Sequence, residues 1–442
     1  MHKYLPHTQK DIEEMLKVIG VDSIDDLFGV IPKNLQIKEY DLPNALDENT
    51  LRNHLHSLAN QNKQLTIFRG AGAYDVFTPS AVFALISRQE FLTSYTPYQP
   101  EVSQGTLQYI FEYQSMITEL TGMEVSNASM YDGSTAAAES MFMAHAFTRS
   151  SKILVSSTVN PRTIDVLRTY AKYRNMEVEL VPHKDGVTDL NYIKENVKGT
   201  MGVIVQNPNY YGIIEDYNNF SDVIHNEKGL FIMISDGRSL GVLRTPKEYG
   251  ADIACGDLQT LGVPLSFGGA YIGYLATDMK YVRKMPGRIC GVTTDIDGKR
   301  AFVLTLQARE QHIRRAKANS NICSNQSLMA LFVTIYLSLL GKKGIKAVLE
   351  DSTNGAYYLY NQLLATKKFK SVYNQPFLNE FVLEANFDLE KFNDYLLEQD
   401  ILGPLVIDKN KALFAVTEKR TKAEIDKLVE MVVNFKWQNI II

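Results

Sequence analysis

The chain has 442 residues, with 46 Lys and Arg against 50 Asp and Glu, so its formal net charge is −4. This near-neutral balance argues against a nucleic-acid-binding protein, and 45% hydrophobic residues in a chain of this length predict two or three domains. The cysteines Cys255, Cys290 and Cys323 form no C-x-x-C pair, which argues against a disulfide framework or a cysteine-zinc site and favours a cytoplasmic protein.

Residues 1–60 predict a helical arm. The first residues lack the apolar segment of a signal peptide, so we expect none. Thr8 precedes apolar residues at helical spacing, which is typical of a capped amphipathic helix, and a second helix is predicted over Glu48 to Gln61.

Residues 61–326 predict a large α/β domain. Apolar, strand-like runs occur at residues 152–156, 177–181, 202–206 and 230–235, and helical segments lie between them at residues 161–174, 189–196 and 218–225. Strands that alternate with single helices form right-handed crossovers. We therefore expect a mainly parallel central sheet with helices on both faces.

Residues 327–442 predict a smaller C-terminal α/β domain. Its apolar run from Leu328 to Leu340 is shorter than the roughly 20 residues needed to cross a bilayer, so we interpret it as a core helix and expect no membrane association. Strands are predicted over Phe377–Leu383 and Ala412–Val416. Thr421 opens a capping box that begins the last helix.

Two motifs indicate a possible phosphate-containing cofactor. Ser134 and Thr135 follow a glycine at the start of an Ala-rich helix, where free backbone N–H groups suit a phosphate; a capped helix start without a ligand is the alternative. Asp236 ends a buried strand, at the sheet edge where α/β proteins bind ligands. Its carboxylate could hold a pyridinium nitrogen, or could simply cap the following turn.

The phosphate cradle, the strand-end Asp236 and the later small domain together suggest an aspartate-aminotransferase-like fold, fold type I of the pyridoxal phosphate (PLP) dependent transferases. Such enzymes need a lysine after the next strand to form a Schiff base with the aldehyde. The stretch from Cys255 to Gly269 contains no lysine, and Lys280 is the next one after Lys247. The sequence therefore predicts that this chain anchors no cofactor covalently.

Long motifs extend this interpretation over most of the chain. They lie at residues 68–74 (FRGAGAY), 94–105 (SYTPYQPEVSQG), 127–135 (NASMYDGST) and 309–323 (REQHIRRAKANSNIC). On these motifs the sequence resembles the N-terminal (alpha) subunit of the glycine cleavage system P-protein, the decarboxylating glycine dehydrogenase. In the catalytic half of that family a His-Lys-Thr motif carries the Schiff base, and Gln259 stands here at the lysine position.

The resemblance implies a division of labour between two chains. PLP is expected on a lysine-bearing beta subunit, where glycine is decarboxylated, and the aminomethyl group then passes to the lipoyl arm of the H-protein. Tyr95, Tyr98, Glu101 and Gln104 form a proline-stiffened loop that we expect to reach the shared active site, although a simple connecting turn is the alternative.

Three hypotheses remain open from the sequence. The chain is the alpha subunit of a two-chain glycine decarboxylase, an independent PLP-dependent decarboxylase or lyase using a displaced Lys280 or Lys284, or a non-catalytic scaffold. The basic stretch from Arg309 to Lys317 is predicted to be a helix with interface or internal ion pairs. The histidines do not fall at metal-ligand spacing, so we predict no metal site: His145, His183, His225 and His312.

Overall fold

The computed structural model describes residues 4–37, 39–318, 320 and 322–436. Parts of the predicted arm (residues 1–3 and 38), of the basic motif (319 and 321) and of the small domain (437–442) lie outside the described residues. The chain forms two compact units, Met1–Lys63 and Gln64–Ile442. The finer boundaries expected at residues 60 and 326 stay predictions.

The helices and strands follow in chain order. The α-helices are α1 Gln9–Ile19, α2 Glu48–Ala59, α3 Ser80–Ile86, α4 Gln89–Leu92, α5 Gln104–Thr121, α6 Gly133–Thr148, α7 Pro161–Lys172, α8 Leu190–Asn196, α9 Phe220–Asn226, α10 Gln311–Arg314, α11 Ser327–Ala365, α12 Leu389–Glu398 and α13 Lys422–Asn434. The β-strands are β1 Thr66–Ile67, β2 Val125–Ser126, β3 Lys152–Ser156, β4 Glu177–Val181, β5 His183–Lys184, β6 Val187–Thr188, β7 Gly202–Gln206, β8 Leu230–Ile234, β9 Ile253–Asp257, β10 Gly273–Thr277, β11 Ile289–Thr294, β12 Arg300–Thr305, β13 Phe369–Ser371, β14 Glu380–Ala385, β15 Ile401–Leu402, β16 Leu405–Asp408 and β17 Lys411–Ala415.

The first unit carries the two predicted arm helices. Thr8 caps α1 through a capping box with Asp11, whose backbone N–H donates to the Thr8 hydroxyl, as the sequence predicts. Asp47 caps α2 by accepting from the backbone N–H of Thr50 at 3.0 Å. Among the described residues of this unit none is buried, so its apolar side chains pack little within the unit itself.

The second unit is built on a central sheet in the order β2-β10-β9-β8-β7-β3-β4 among the described residues. The neighbours from β9 to β4 are parallel, and β10 and β2 join antiparallel at one edge. The prediction of a mainly parallel sheet is confirmed. Alternate residues of β3, β7 and β8 enter two separate cores, which explains why these strands are almost continuously apolar.

The C-terminal part of the second unit packs a smaller antiparallel sheet, β13-β14-β17-β16, against α11, α12 and α13. Its core is aromatic, with Phe381 and Phe414 stacked at a centroid distance of 5.6 Å. Thr421 forms the predicted capping box with Glu424 at the start of α13. The short parallel pair of β1 and β15 joins this part to the beginning of the second unit.

Helix α11 is long and apolar enough to cross a membrane by length and composition. Its first half instead packs into the core of the central sheet through Phe332, Val333 and Tyr336, as a core helix does. Gly341 interrupts the helix with a φ of 58° and a ψ of −175°. The second half then continues into the C-terminal part.

The basic stretch from Arg309 to Lys317 does not form the single helix that the sequence predicts. Helix α10 has one turn, between two short 3₁₀ turns, and Arg315 at its end has a φ of +52°. Arg309 is turned inward and donates from Nη1 to the carbonyl of Met285. Burial lowers the pKa of Arg309 to about 10. An inward-facing guanidinium is incompatible with the solvated face of a regular helix.

Candidate functional site

A cleft of about 310 Å³ opens at the carboxyl edge of the central sheet, within the second unit. Its walls come from the ends of β7, β8 and β9, the start of α6, the start of β14 and the loop at residues 71–74. Ligand sites of open α/β sheets lie at this edge, and the volume is at the small end of the range for small-molecule pockets. The cleft is therefore the candidate functional site.

Asp236 lies in this cleft, as the sequence predicts for a strand-end carboxylate. Its Oδ1 accepts a hydrogen bond from the hydroxyl of Thr260, and its Oδ2 accepts one from the backbone N–H of Ser239 at 3.4 Å. Burial raises the pKa of Asp236, and the nearby Arg238 opposes that rise. The Asp236 side chain thus caps the turn at Ser239 and also lines the cleft.

The start of α6 also borders the cleft, but carboxylates occupy its N–H groups. Asp132 caps the helix by accepting from the backbone N–H and the hydroxyl of Thr135, both at 2.8 Å. Asp257 accepts from the N–H of Gly133 at 3.1 Å. Ser134 lines the cleft and bonds Thr163 at 2.8 Å, whereas Thr135 is not among the lining residues. Two N–H groups at the start of α6, those of Gly133 and Thr135, are thus bonded to the chain's own acids.

A glycine at position 133 permits this arrangement. A Cβ there would lie 2.8 Å from the backbone nitrogen of Asp257 and 2.9 Å from the carbonyl carbon of Gly256. The close approach brings the positive end of α6 against the Asp257 carboxylate. Burial nevertheless raises the pKa of Asp257 to about 7, and Asp132 and Asp236 add to that rise.

Gln259, which the sequence analysis expects at the position of the family's lysine, is 1% exposed. Its Oε1 accepts from the backbone N–H of Tyr74 at 2.9 Å, and its Nε2 donates to the carbonyls of Tyr74 at 2.8 Å and Val263 at 2.6 Å. Both N–H donors of the amide and one lone pair of its oxygen are used, so Gln259 ties the 71–74 loop to the turn after β9.

Tyr74 and Glu380 also line the cleft and bond each other. The Tyr74 hydroxyl donates to Glu380 Oε2 at 2.5 Å, and the N–H of Ala71 donates to Oε1 at 2.6 Å. Burial raises the pKa of Glu380 to about 7 and carries the pKa of Tyr74 well above its ordinary value. The Arg238 guanidinium lies 5.8 Å from the centroid of the Tyr74 ring. Gly70 is needed here because a Cβ would lie 2.3 Å from Glu380 Oε1.

The predicted loop lies apart from the cleft. Tyr95 is 89% exposed, and Glu101 is also exposed. Tyr98 contacts Arg288, which donates to its hydroxyl at 3.3 Å, and packs edge-on against His312. The structure brings none of these described loop residues into the cleft.

Gln104 has a structural role that the sequence did not indicate. Its Nε2 donates to the carbonyls of Pro100 at 2.7 Å and Phe302 at 2.9 Å, and its Oε1 accepts from the N–H of Phe302 at 2.9 Å. These bonds join the loop to β12. Of the predicted loop residues, Tyr95, Tyr98 and Glu101 have exposed side chains.

Comparison with known proteins decides the family. A family model described as the glycine cleavage system P-protein matches residues 2–432. The chain belongs to the glycine cleavage system P-protein family. A protein of Bacillus cereus named probable glycine dehydrogenase (decarboxylating) subunit 1 is 49% identical over 440 residues, covering 97% of this chain and 98% of the relative. The protein of that name in Bacillus cytotoxicus is 48% identical with the same coverage.

Solved structures agree with this membership. A crystal structure of glycine decarboxylase (P-protein) of the glycine cleavage system, in inhibitor-bound form, has a TM-score of 0.91 and 43% identity, covering 98% of this chain and 99% of that one. A glutamate decarboxylase of Lactobacillus brevis has a TM-score of 0.68 at 13% identity, covering 90% and 95%. An aspartate aminotransferase of Thermus thermophilus has a TM-score of 0.57 at 13% identity, covering 83% and 98%. The latter two show the fold alone, and they confirm the expected fold type I of PLP enzymes.

The P-protein family uses PLP, but the cleft of this chain does not suit a covalently bound cofactor. No lysine is found among the described residues that line it. A phosphate at the start of α6 would meet the Asp132 and Asp257 carboxylates, which already accept from the N–H groups that would bind it. Like charges in a buried site repel strongly.

The displaced lysines do not replace the missing amine. Lys280 lies 3.6 Å from Asp252 and over the Tyr281 ring, and Lys284 does not line the cleft. Asp252 precedes β9 and Asp257 ends it, so five residues of extended chain, roughly 16 Å, separate the two carboxylates. Lys280 is thus at the opposite edge of the sheet from Asp236, and the hypothesis of a displaced Schiff-base lysine is wrong for Lys280.

Sequence reasoning missed several residues of the cleft, namely Tyr74, Asp257, Asn379 and Glu380. Glu380 could have been found from the sequence as an acid within an apolar strand, because acids are almost never fully buried unless they are paired. Asp257 lies in the stretch from Cys255 to Gly269, where a lysine was expected. Gly70 allows the chain before the 71–74 loop to approach Glu380.

Proposed function

We propose that this chain is subunit 1 (alpha) of a two-chain glycine decarboxylase of the glycine cleavage system. In this proposal PLP is held by a lysine-bearing beta subunit, which supplies the electron sink for decarboxylating glycine. The aminomethyl group then passes to the lipoyl arm of the H-protein, and the complex works in the cytoplasm. The subunit 1 name and near-complete coverage of the relatives support the proposal.

The hydrogen bonds of Gln259 support the division of labour. By the resemblance, Gln259 stands where the catalytic half has its lysine, and its amide bonds the backbone of Tyr74 and Val263. A side chain held in this way contributes to the fold of the chain and leaves no nucleophile for an aldehyde. The Asp257 bond to Gly133 supports the same conclusion, because it occupies the site expected for a phosphate.

The contribution of this chain to the reaction is then to complete its partner's site. The loop with Tyr95, Tyr98 and Glu101 supports this role, because Pro97 and Pro100 restrict its backbone and Gln104 ties it to β12. A pre-ordered aromatic loop costs little conformational entropy on association and can exclude water from a neighbouring site. The exposed hydroxyl of Tyr95 and the Glu101 carboxylate are available to orient a substrate.

Cofactor placement is tested by purifying this chain alone, adding PLP and reducing with borohydride. We expect no stable pyridoxyl adduct on this chain and one adduct per partner chain in the reconstituted complex. Mass spectrometry of each chain reads out the result. A stoichiometric adduct on this chain alone would overturn the assignment.

The loop is tested in the reconstituted complex. We expect Tyr95→Phe and Glu101→Ala to lower turnover or raise the KM for glycine, with assembly unchanged. Tyr173→Phe is a matched control, because Tyr173 is also exposed (77%) but lies at the end of α7 and not in the loop. If both loop variants match the control, the second candidate, a scaffold that only stabilises its partner, is favoured instead.

A further inference from the structure

We infer that Arg288 is a positioning residue for the reaction: its buried guanidinium holds the Tyr98 ring and thereby fixes the loop to which Tyr98 belongs. Tyr95 and Glu101 each lie three residues from Tyr98, on either side of it, so their placement against the partner chain depends on this contact. The inference rests on the proposed function, in which this loop completes the partner's site. Its first test uses this chain alone, so that the two can fail separately.

Arg288 is buried directly before β11, although its side chain is charged. It is 3% exposed, and its backbone carbonyl accepts from the N–H of Ala128 at 2.8 Å, which fixes the main chain at this point. Its Nη2 donates to the Tyr98 hydroxyl at 3.3 Å, and its guanidinium carbon lies 5.3 Å from the centroid of the Tyr98 ring. Burying an arginine is costly unless its charge and its donors meet partners. The ring supplies both a hydrogen-bond acceptor and a π face.

Glu310 supplies the negative charge beside Arg288. It is 8% exposed; burial raises its pKa, and the nearby Arg309, His312 and Arg288 oppose that rise. Its Oε2 lies 3.7 Å from Nδ1 of His312, and the centroids of the His312 and Tyr98 rings are 6.4 Å apart. The acid thus links Arg288 to His312, and the Tyr98 ring lies against both. The loop, the start of β11 and α10 therefore meet in one cluster.

The loop has few other attachments between its two ends. Among the described side chains from Tyr95 to Val102, that of Tyr98 is the one hydrogen-bonded to another part of the chain. The main-chain bonds there are local, such as that from the Val102 N–H to the Gln99 carbonyl at 3.3 Å. Pro97 is buried next to Tyr98 and has no side-chain donor or acceptor. Loss of the contact with the guanidinium would therefore leave the middle of the loop held by packing alone.

A loop released in this way would complete the partner's site less well. An ordered loop has already lost its conformational freedom before association, whereas a mobile loop loses it in the complex. Misplacing a group that orients the substrate or excludes water lowers the rate without removing a reacting atom. In the proposed function Arg288 touches neither substrate nor cofactor, so it acts through Tyr98.

Hydrogen exchange of this chain alone, measured by mass spectrometry, tests whether Arg288 holds the loop. We expect Arg288→Met to speed exchange in the peptide of residues 94–105 about tenfold or more, and Arg288→Lys, which keeps a charge over the ring, to speed it less. Arg283→Met is the control, because Arg283 is an exposed arginine five residues earlier. Exchange in Arg288→Met equal to that in the control would overturn the inference.

Tyr98→Leu removes the same contact from the side of the loop. Because Tyr98 is 53% exposed, we expect this variant to fold even if Arg288→Met does not, and to speed exchange in the same peptide. Unchanged exchange in Tyr98→Leu would also contradict the inference. Thermal unfolding and exchange in β8, both expected to stay near those of the parent, separate local release of the loop from loss of the fold.

Turnover of the reconstituted complex tests the consequence for the reaction. We expect Arg288→Met and Tyr98→Leu each to lower kcat/KM about fivefold or more, and the double variant to lose no more than the worse single variant, because both remove one contact. Additive losses would overturn the positioning role. If Tyr95→Phe or Glu101→Ala lowers turnover and Arg288→Met does not, the inference fails while the proposed function stands. If all three leave turnover unchanged, the proposed role of the loop fails, and the positioning role fails with it.

Discussion

Restoring the lysine by Gln259→Lys should fail to create a cofactor site and should destabilise the chain. The Gln259 amide makes three hydrogen bonds to the backbone, one as acceptor and two as donor. A lysine can still donate to the carbonyls of Tyr74 and Val263, but it offers no acceptor to the Tyr74 N–H. One buried donor is therefore left unsatisfied, at a cost of about 1–3 kcal/mol.

The introduced amine would also lie at a position that is 1% exposed. Burial lowers the pKa of an ammonium group, which limits any further electrostatic cost. A neutral amine could in principle react with an aldehyde, but the Asp257 carboxylate still holds the Gly133 N–H that a PLP phosphate would need. We therefore expect destabilisation without a stable Schiff base.

Urea unfolding and borohydride trapping together measure this prediction, with Gln259→Leu as the variant that lacks both amine and amide. Gln259→Leu loses all three bonds and should be less stable than Gln259→Lys. If the Gln259→Lys chain is as stable as the parent, the reasoning about the amide is refuted. If it forms a stoichiometric pyridoxyl adduct, the reasoning about Asp257 is refuted.

Three further predictions concern stability. Gly133→Ala should destabilise by at least 1 kcal/mol in urea unfolding, because its Cβ would press on the backbone of Asp257, whereas Gly105→Ala, with nothing within 4 Å, should not. Thr421→Ala should cost about 1 kcal/mol by removing the cap of α13. The hydrogen bond to Asp252 raises the pKa of His225 in the folded chain. The charged imidazole therefore stabilises the fold fully at pH values below the pKa of an unfolded histidine, near 6.5. This stabilisation is lost as the pH rises through the higher pKa of the folded state. His225→Gln should thus cost up to about 1 kcal/mol at pH 5.5 and nothing measurable at pH 9, the magnitude being small because the ring is 42% exposed. Equal losses of stability at pH 5.5 and pH 9 would contradict the prediction for His225.

Much of the fold follows from local pattern. The strands β3, β4, β7 and β8 were predicted to within one residue, because buried parallel strands are short apolar runs between helices. The caps at Thr8 and Thr421 were also predicted, since a capping box is a local motif. The course of the stretch from Arg309 to Lys317 was not predicted, because the bond from Arg309 to the Met285 carbonyl and the φ of +52° at Arg315 are not recorded in the local pattern.

The sequence by itself determined the family, the parallel sheet, the position of Asp236 and the absence of a lysine at Gln259. Each of these features depends on a contiguous stretch of sequence, in which residue type and spacing are enough to predict it. Only the tertiary structure decided what the cleft contains. Asp257 reaches Gly133 across 124 positions, and Tyr74 reaches Glu380 across 306. Contacts at such separations depend on how β9, α6 and β14 pack together, and no local pattern records that packing.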